Sequence, residues 1–170
     1  DSAGADPGPA CYGLGGDEPT VTDADLILGY LNPDYFLGGK MSLDLERARR
    51  AVKTKIADPL GLSIEKAAWG IHQVVDENMA NAAKVHVVDK GEDPKAYSLV
   101  AFGGAGPVHG YWVAEKIGAK AVISLPSAGV ASRLYIQSVS TWKFAKRWRM
   151  KVSIFWAKAC PSREDMFCPS

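Results

Sequence analysis

The segment from Leu99 to His109 has the pattern of a strand that passes through a glycine turn into a helix. Its first four residues are apolar and uncharged, which is typical of a strand buried on both faces. Gly103, Gly104 and Gly106 allow the backbone to turn sharply and to approach a ligand closely. Pro107 suits the first position of a helix, where its missing N–H needs no partner. The segment predicts a nucleotide or phosphate site. The same pattern also occurs at strand-to-helix turns of α/β domains that bind no ligand.

The glycine turn is expected to belong to a βαβ unit. Its helix is predicted to end at Gly118, and residues 121–125 form a second uncharged strand, which we expect to lie parallel to the first. The turn then lies at the carboxyl end of its strand, where open α/β sheets bind ligands. The glycine spacing matches neither the dinucleotide fingerprint nor the P-loop, so the residues alone assign no particular nucleotide.

A chain of 170 residues has the length of one domain and can bury a core without disulfides or metals. The three cysteines, Cys11, Cys160 and Cys168, show no C-x-x-C spacing, so neither a disulfide framework nor a structural zinc site is expected. No apolar run approaches the roughly 18 residues that span a bilayer, and the start lacks the pattern of a signal peptide. These features predict a soluble cytoplasmic protein with no membrane partner.

Capping residues and apolar spacing predict three helices before the glycine turn. Thr22 followed by Asp25 resembles a capping box, Asp44 is expected to cap a second helix, and Ser63 a third. Pro59 and Gly61 are expected to break the chain between the last two. In the third helix the predicted core stripe consists of Ile64, Ala68, Ile71, Val75, Met79 and Ala82. His72 and His86 are expected to be ordinary core or surface histidines, and the basic residues 47–55 a solvated face rather than a nucleic-acid site.

The charge of the chain divides sharply near Ser132. Residues 1–132 carry 12 Lys and Arg against 17 Asp and Glu, a balance of −5, whereas residues 133–170 carry 8 against 2, a balance of +6. Three of the five Trp also lie in the second part. A shifted reading frame, a genuine basic and aromatic appendage that contacts nucleic acid or membrane, and an unrelated helix all fit this change. We therefore treat 1–132 and 133–170 as separate units.

Three segments of the first unit closely resemble the hydantoinase A/oxoprolinase family. They are SAGADPGPACYG at 2–13, PTVTDADLILG at 19–29 and VAFGGAGPVH at 100–109, in the order in which the family has them. The resemblance implies an α/β fold, namely an incomplete ribonuclease-H-like lobe of the actin-like ATPase superfamily with a helical insert. It also implies that an amino-terminal lobe with the phosphate-binding motifs would precede this segment.

The resemblance assigns roles to particular residues. Gly103, Gly104, Ala105 and Gly106 would line ATP. His109 would face the same cleft, where the positive end of its helix favours a neutral imidazole that ligates a metal or donates a hydrogen bond, although an ordinary packing role fits it as well. Two further candidates for catalysis are Asp6 and Asp23, which would contact Mg²⁺, phosphate or substrate, although helix capping also explains a carboxylate beside a helix start.

The function implied by the resemblance is the ATP-dependent opening of a cyclic amide, of the hydantoin or 5-oxoproline type, by phosphoryl activation. The chain would be a fragment of one subunit, inactive alone, and its partner would be a second large subunit of the hydantoinase B type. An acetone or acetophenone carboxylase subunit acting on a ketone is the alternative within the family. A non-catalytic module that binds through its basic tail is the alternative of another class.

Overall fold

The computed structural model describes residues 3–124 and residue 128, and it contains both helices and strands in an α/β arrangement. In chain order the named elements are α1 (Val21–Ile27), α2 (Leu45–Val52), α3 (Asp58–Leu60), α4 (Ile64–Val88), β1 (Leu99–Ala101), α5 (Gly106–Ile117) and β2 (Val122–Ser124). Short 3-10 helices occur at Ala10–Tyr12 and Pro94–Ala96. The basic segment 133–170 and the boundary near Ser132 lie outside the described residues, so the division into two units stays a prediction.

The first helix begins two residues earlier than a cap at Thr22 predicts. Thr20 is the N-cap, and it forms a capping box with Asp23, so Thr22 lies inside α1. The predicted box of Thr22 with Asp25 is therefore wrong. Asp23 is the better partner because its carboxylate also accepts from the backbone of the preceding loop. Asp25 is thereby left free to point into the interior, where it is 4% exposed.

The predicted cap of the second helix is confirmed, but the predicted break at Pro59 is not. Asp44 accepts a hydrogen bond from the amide of Arg47 at 3.0 Å. After α2 the chain continues through a π-helical turn, Lys53–Ala57, into α3, which contains Pro59. A wider π turn immediately before a proline relieves the clash that its ring would make with a carbonyl in an α-helix. The helix instead ends at Gly61, whose φ is +62°.

The long helix α4 starts at the predicted cap, since Ser63 accepts from the amide of Lys66 at 3.2 Å. Its predicted apolar stripe is wrong in the second half. Met79 and Ala82 are exposed, whereas His72, Asp76 and Ala80 are buried. The buried face of α4 is therefore polar at its centre, because α1 and α5 pack there and bring charged partners.

The βαβ unit is confirmed. Strands β1 and β2 are parallel, with Val100 opposite Ile123, and α5 packs against both strands before it ends at Gly118. The expectation that this strand is buried on both faces is wrong for the described residues, because Val100 in β1 is 49% exposed and Phe102, which follows β1, is 50% exposed. The sheet that the structure describes has two strands, and its outer face is not covered by other described elements.

Two apolar clusters stabilise the helical part. The first joins the amino-terminal loop to α1 and α2 through Cys11, Leu26, Leu43 and Ala48. The second joins the end of α2 and the π turn to α4 through Val52, Ala57 and Ala67. The contacts of α4 with α1 and α5 connect these clusters to the βαβ unit. Among the described helices, none combines the length and the apolar composition needed to cross a membrane.

The close approach of α5 to β1 predicts opposite effects of two glycine substitutions. A Cβ at Gly110 would lie 2.8 Å from Cβ of Ala101, whereas a Cβ at Gly70 in α4 would meet nothing within 4 Å. We expect Gly110→Ala to lower the free energy of unfolding by about 1–3 kcal/mol through overpacking. Gly70→Ala should raise it by about 0.5–1 kcal/mol, because alanine favours the helix. Urea denaturation of both variants measures this, and equal stabilities would contradict the close packing.

Candidate functional site

The glycine turn after β1 is open to solvent. Gly103 has a φ of +86°, and its amide donates to the carbonyl of Ala128 at 2.7 Å, which fixes the entry into the turn. Gly104 and Ala105 are exposed, and a Cβ built on Gly104 would meet nothing within 4 Å. The backbone of this turn is therefore accessible to a ligand, as the predicted nucleotide site requires.

His109 does not face the open side of the turn. It lies in the first turns of α5, but its side chain points inward and is 5% exposed. Its Nδ1 lies 2.8 Å from Oδ1 of Asp76 on α4, and its Nε2 lies 3.5 Å from Oδ2 of Asp25 on α1. The expectation that His109 faces the nucleotide cleft is thus wrong, because two buried carboxylates attract the imidazole to the interior.

Asp25, His72, Asp76 and His109 form a buried group that we call the His–Asp cluster. His72 lies between the two carboxylates, with Nδ1 2.8 Å from Oδ1 of Asp25 and Nε2 3.2 Å from Oδ2 of Asp76. Each ring nitrogen of both histidines therefore faces a carboxylate oxygen. The two rings stack with centroids 4.7 Å apart. Asp25, His72 and His109 each offer a ligand atom within 4.8 Å of the others, so these three residues could hold a metal ion.

The His–Asp cluster is isolated from water, since its four residues are between 0% and 4% exposed. The Tyr30 ring packs against His72, and the Trp69 ring stacks on His72 with centroids 5.6 Å apart. Trp112 in turn packs edge-on against Trp69. Buried charges are costly unless they are paired, so the carboxylates and imidazoles stabilise one another.

The cluster shifts the pKa values of its members. Burial lowers the pKa of His109, but the hydrogen bonds and charges of Asp25 and Asp76 outweigh burial and raise it. In the chain without a bound ion, the pKa of His109 thus shifts opposite to the direction predicted from the helix dipole, because the two carboxylates outweigh the dipole. Burial raises the pKa of Asp25, yet the bonds from His109 and His72 lower it overall. Burial raises the pKa of Asp76 against the charges of both histidines.

The other two predicted catalytic residues, Asp23 and Asp6, form no hydrogen bond with the His–Asp cluster in the described part of the chain. The Asp23 carboxylate accepts from the amides of Ala10, Cys11 and Thr20 and from the Thr20 hydroxyl. The bonds from Ala10 and Cys11 tie the amino-terminal loop to α1, and the two from Thr20 close the cap of that helix. Asp6 is exposed in that loop. The catalytic roles of Asp6, Asp23 and His109 stay predictions.

Asp25, His72 and Asp76 were not predicted as site residues from the sequence. One signal was present, because Asp76 follows His72 by four residues and the two therefore share a helix face. The other partners, Asp25 and His109, lie 47 and 37 residues from His72 in the chain, and their proximity depends on the packing of three helices.

Comparison with known proteins identifies the family to which the sequence motifs point. Residues 1–136 match the family model described as Hydantoinase/oxoprolinase, which covers most of the chain. The chain belongs to the hydantoinase/oxoprolinase family. The predicted resemblance is thereby confirmed.

Members of this family share substantial identity with the chain. The acetophenone carboxylase gamma subunit of Aromatoleum aromaticum is 56% identical over 108 residues, which are 64% of this chain and 15% of that subunit. The caprolactamase subunit alpha of Pseudomonas jessenii is 48% identical over 122 residues, or 72% of this chain and 18% of that subunit. The crystal structure of the ATP-dependent caprolactamase from Pseudomonas jessenii superimposes with a TM-score of 0.71 at 45% identity, covering 77% of this chain and 19% of the other. The chain thus spans less than a fifth of the length of these relatives.

The contacts of Asp23 predict a large loss of stability on its removal. Asp23→Ala would leave the buried amides of Ala10 and Cys11 without their acceptor, and each such loss costs about 1–3 kcal/mol. Asp44→Ala, the control, removes an exposed N-cap and should cost about 1 kcal/mol. Urea denaturation compares the two variants. A loss for Asp23→Ala no greater than that for Asp44→Ala would contradict the structural role.

The raised pKa of His109 predicts a pH dependence of stability. A histidine whose pKa is higher in the folded chain stabilises it fully below the unfolded pKa of about 6.5, and this contribution is lost as pH rises through the folded pKa. In buffer with EDTA, the free energy of unfolding of the wild-type chain should fall over that range, and His109→Gln should lack this fall. His86→Gln, at an exposed position of α4, should retain it. Identical pH profiles for the wild type and His109→Gln would contradict the pairing.

Proposed function

We propose that the chain is part of a subunit of an ATP-dependent enzyme that opens cyclic amides, and that it is inactive without the rest of the subunit. Family membership supports this, as does the likeness to an ATP-dependent caprolactamase. The observation that carries the proposal is the solvent-open glycine turn at the carboxyl end of β1 in a chain of this family.

The glycine turn fits a nucleotide at close range. Gly103, Gly104, Ala105 and Gly106 would line the ATP, and the absence of a side chain at Gly104 leaves its backbone directly accessible. Helix α5 starts here, so its first amides and its positive end favour a polar or anionic partner. In the actin-like ATPase arrangement this lobe would form one wall of the nucleotide cleft.

The chain's own residues would bind and orient rather than react. ATP supplies phosphoryl activation of the amide or carbonyl oxygen, and water then completes ring opening. Asp6 is exposed and has the carboxylate oxygens that Mg²⁺ prefers, so it remains the candidate contact to a nucleotide-bound ion. His109 would act indirectly, because it holds the start of α5 against Asp25 and Asp76.

A carboxylase subunit is the second candidate. The 56% identity to an acetophenone carboxylase gamma subunit favours it. Both activities would use the same nucleotide wall, and they would differ in the substrate, a cyclic amide or a ketone with bicarbonate. The relatives are subunits of larger enzymes, which supports a second large subunit as partner. A cytoplasmic location and a tail-dependent binding module stay hypotheses.

A chimera tests the proposal. Residues 1–124 would replace the matching segment of the caprolactamase subunit alpha, and the chimera would be co-expressed with the remaining subunit. We expect ATP consumption that depends on a cyclic amide such as caprolactam, hydantoin or 5-oxoproline. Stimulation by a ketone and bicarbonate instead would favour the carboxylase. A folded, assembled chimera that hydrolyses no ATP with either substrate class would contradict both.

Gly104→Val in this chimera tests the nucleotide wall. The space in front of Gly104 is open in the structure, so valine should fold normally and obstruct only a bound ligand. We expect kcat/KM for ATP to fall about 100-fold, the scale of a misplaced substrate. Gly70→Val, at another open and exposed glycine, is the control and should leave kcat/KM unchanged. Equal activities of the two variants would place the nucleotide elsewhere.

A further inference from the structure

When both imidazoles are neutral, the His–Asp cluster has fewer N–H protons than contacts between ring nitrogens and carboxylate oxygens. Four ring nitrogens face four carboxylate oxygens, at 2.8, 3.2, 2.8 and 3.5 Å. Two neutral imidazoles carry two N–H protons, so two of these contacts would lack a proton. The contact between His72 Nε2 and Asp76 Oδ2 is consistent with this, since both atoms are buried and 3.2 Å apart but form no hydrogen bond among the described residues.

Protonation of both imidazoles would not resolve the imbalance. The rings of His72 and His109 stack with centroids 4.7 Å apart and planes inclined by 22°. Two imidazolium ions stacked at this distance in a buried site would repel each other strongly. Without an ion the geometry therefore admits at most one imidazolium, and the two rings then carry three N–H protons for four contacts. A cation held by Asp25 and two neutral rings would satisfy all four ring nitrogens and both carboxylates.

Each of the two carboxylates contacts a different nitrogen of each histidine ring. Asp25 faces His72 Nδ1 and His109 Nε2, and ligand atoms of these three residues lie within 4.8 Å of one another. Asp76 faces the opposite nitrogen of each ring. This is the arrangement of metal sites in which an outer carboxylate accepts the remote N–H of each ligating histidine. A divalent ion with two neutral imidazoles and two carboxylates also leaves the buried site without net charge.

We propose that Asp25, His72 and His109 form a structural site for a divalent transition-metal ion, with Asp76 as the outer carboxylate that orients both imidazoles. Two imidazoles and a carboxylate suit Zn²⁺ and related ions, whereas Mg²⁺ prefers oxygen ligands. The ion would join α1, α4 and α5 beneath the glycine turn. Its near-complete burial makes the role structural. The proposed site is independent of whether the chain acts on a cyclic amide or a ketone. Its ligands are histidine and aspartate, so it needs no cysteines.

Cobalt binding tests this proposal on the full 170-residue chain. The untagged chain would be stripped with EDTA and titrated with Co²⁺, whose visible absorption reports a protein site. We expect one equivalent to bind, Zn²⁺ to displace it, and the melting temperature to rise with either ion. Thiolate-to-cobalt charge-transfer bands should be absent. Failure of the folded chain to bind a stoichiometric ion, or the appearance of thiolate bands, would overturn the proposal.

Variants assign the ion to the cluster. Asp25→Asn and His109→Gln should abolish stoichiometric binding, and Asp76→Asn should weaken it about 10–100-fold, the usual effect of losing an outer partner. His86→Gln, on the exposed face of α4, should bind as the wild type does. If a ligand variant does not fold, X-ray absorption of the metal-loaded wild type decides, since imidazole scattering supports the site and its absence refutes it. Unchanged binding by folded Asp25→Asn and His109→Gln would mean an adventitious ion only.

Discussion

The interior of this chain depends on the pairing of two buried histidines with two buried carboxylates. The pairing joins α1, α4 and α5 through Asp25, His72, Asp76 and His109, and all four residues are buried. A charge or polar group at such a position is tolerated only when its partners are fixed. The pairing therefore sets the positions of the three helices relative to one another, and through α5 it sets the position of the glycine turn.

Function is connected to this pairing through the start of α5. Gly104 and Ala105 are exposed to solvent at the start of α5, while the buried His109 pairs with Asp25 and Asp76. A nucleotide wall has to be rigid, because a displaced backbone amide loses its contact with the ligand. The buried side of α5 thus provides the support, and the exposed turn provides the contact surface proposed for ATP.

Local signals in the sequence predicted the parts of the fold that depend on neighbouring residues. The caps at Asp44 and Ser63, the glycine at the end of α5 and the parallel pair of strands follow from capping, glycine conformation and apolar runs. The polar face of α4 could not be predicted in this way, because hydrophobic periodicity assigns polar residues to solvent. His72 and Asp76 are buried only because Asp25 and His109 reach them from distant segments. The open face of β1 was missed for a similar reason, since an apolar run does not reveal which elements cover it.

Nitrogen-15 NMR of the imidazole rings tests the central claim most directly. If the His–Asp cluster orders the interior, His72 and His109 should each show a ring N–H that exchanges slowly with solvent. Nuclear Overhauser contacts should also connect residues of α1, α4 and α5. His86, which is exposed, should show no such protected proton. Rapid exchange at all three histidines in the folded chain would show that the cluster does not form and would contradict this account of the fold and of the support for the glycine turn.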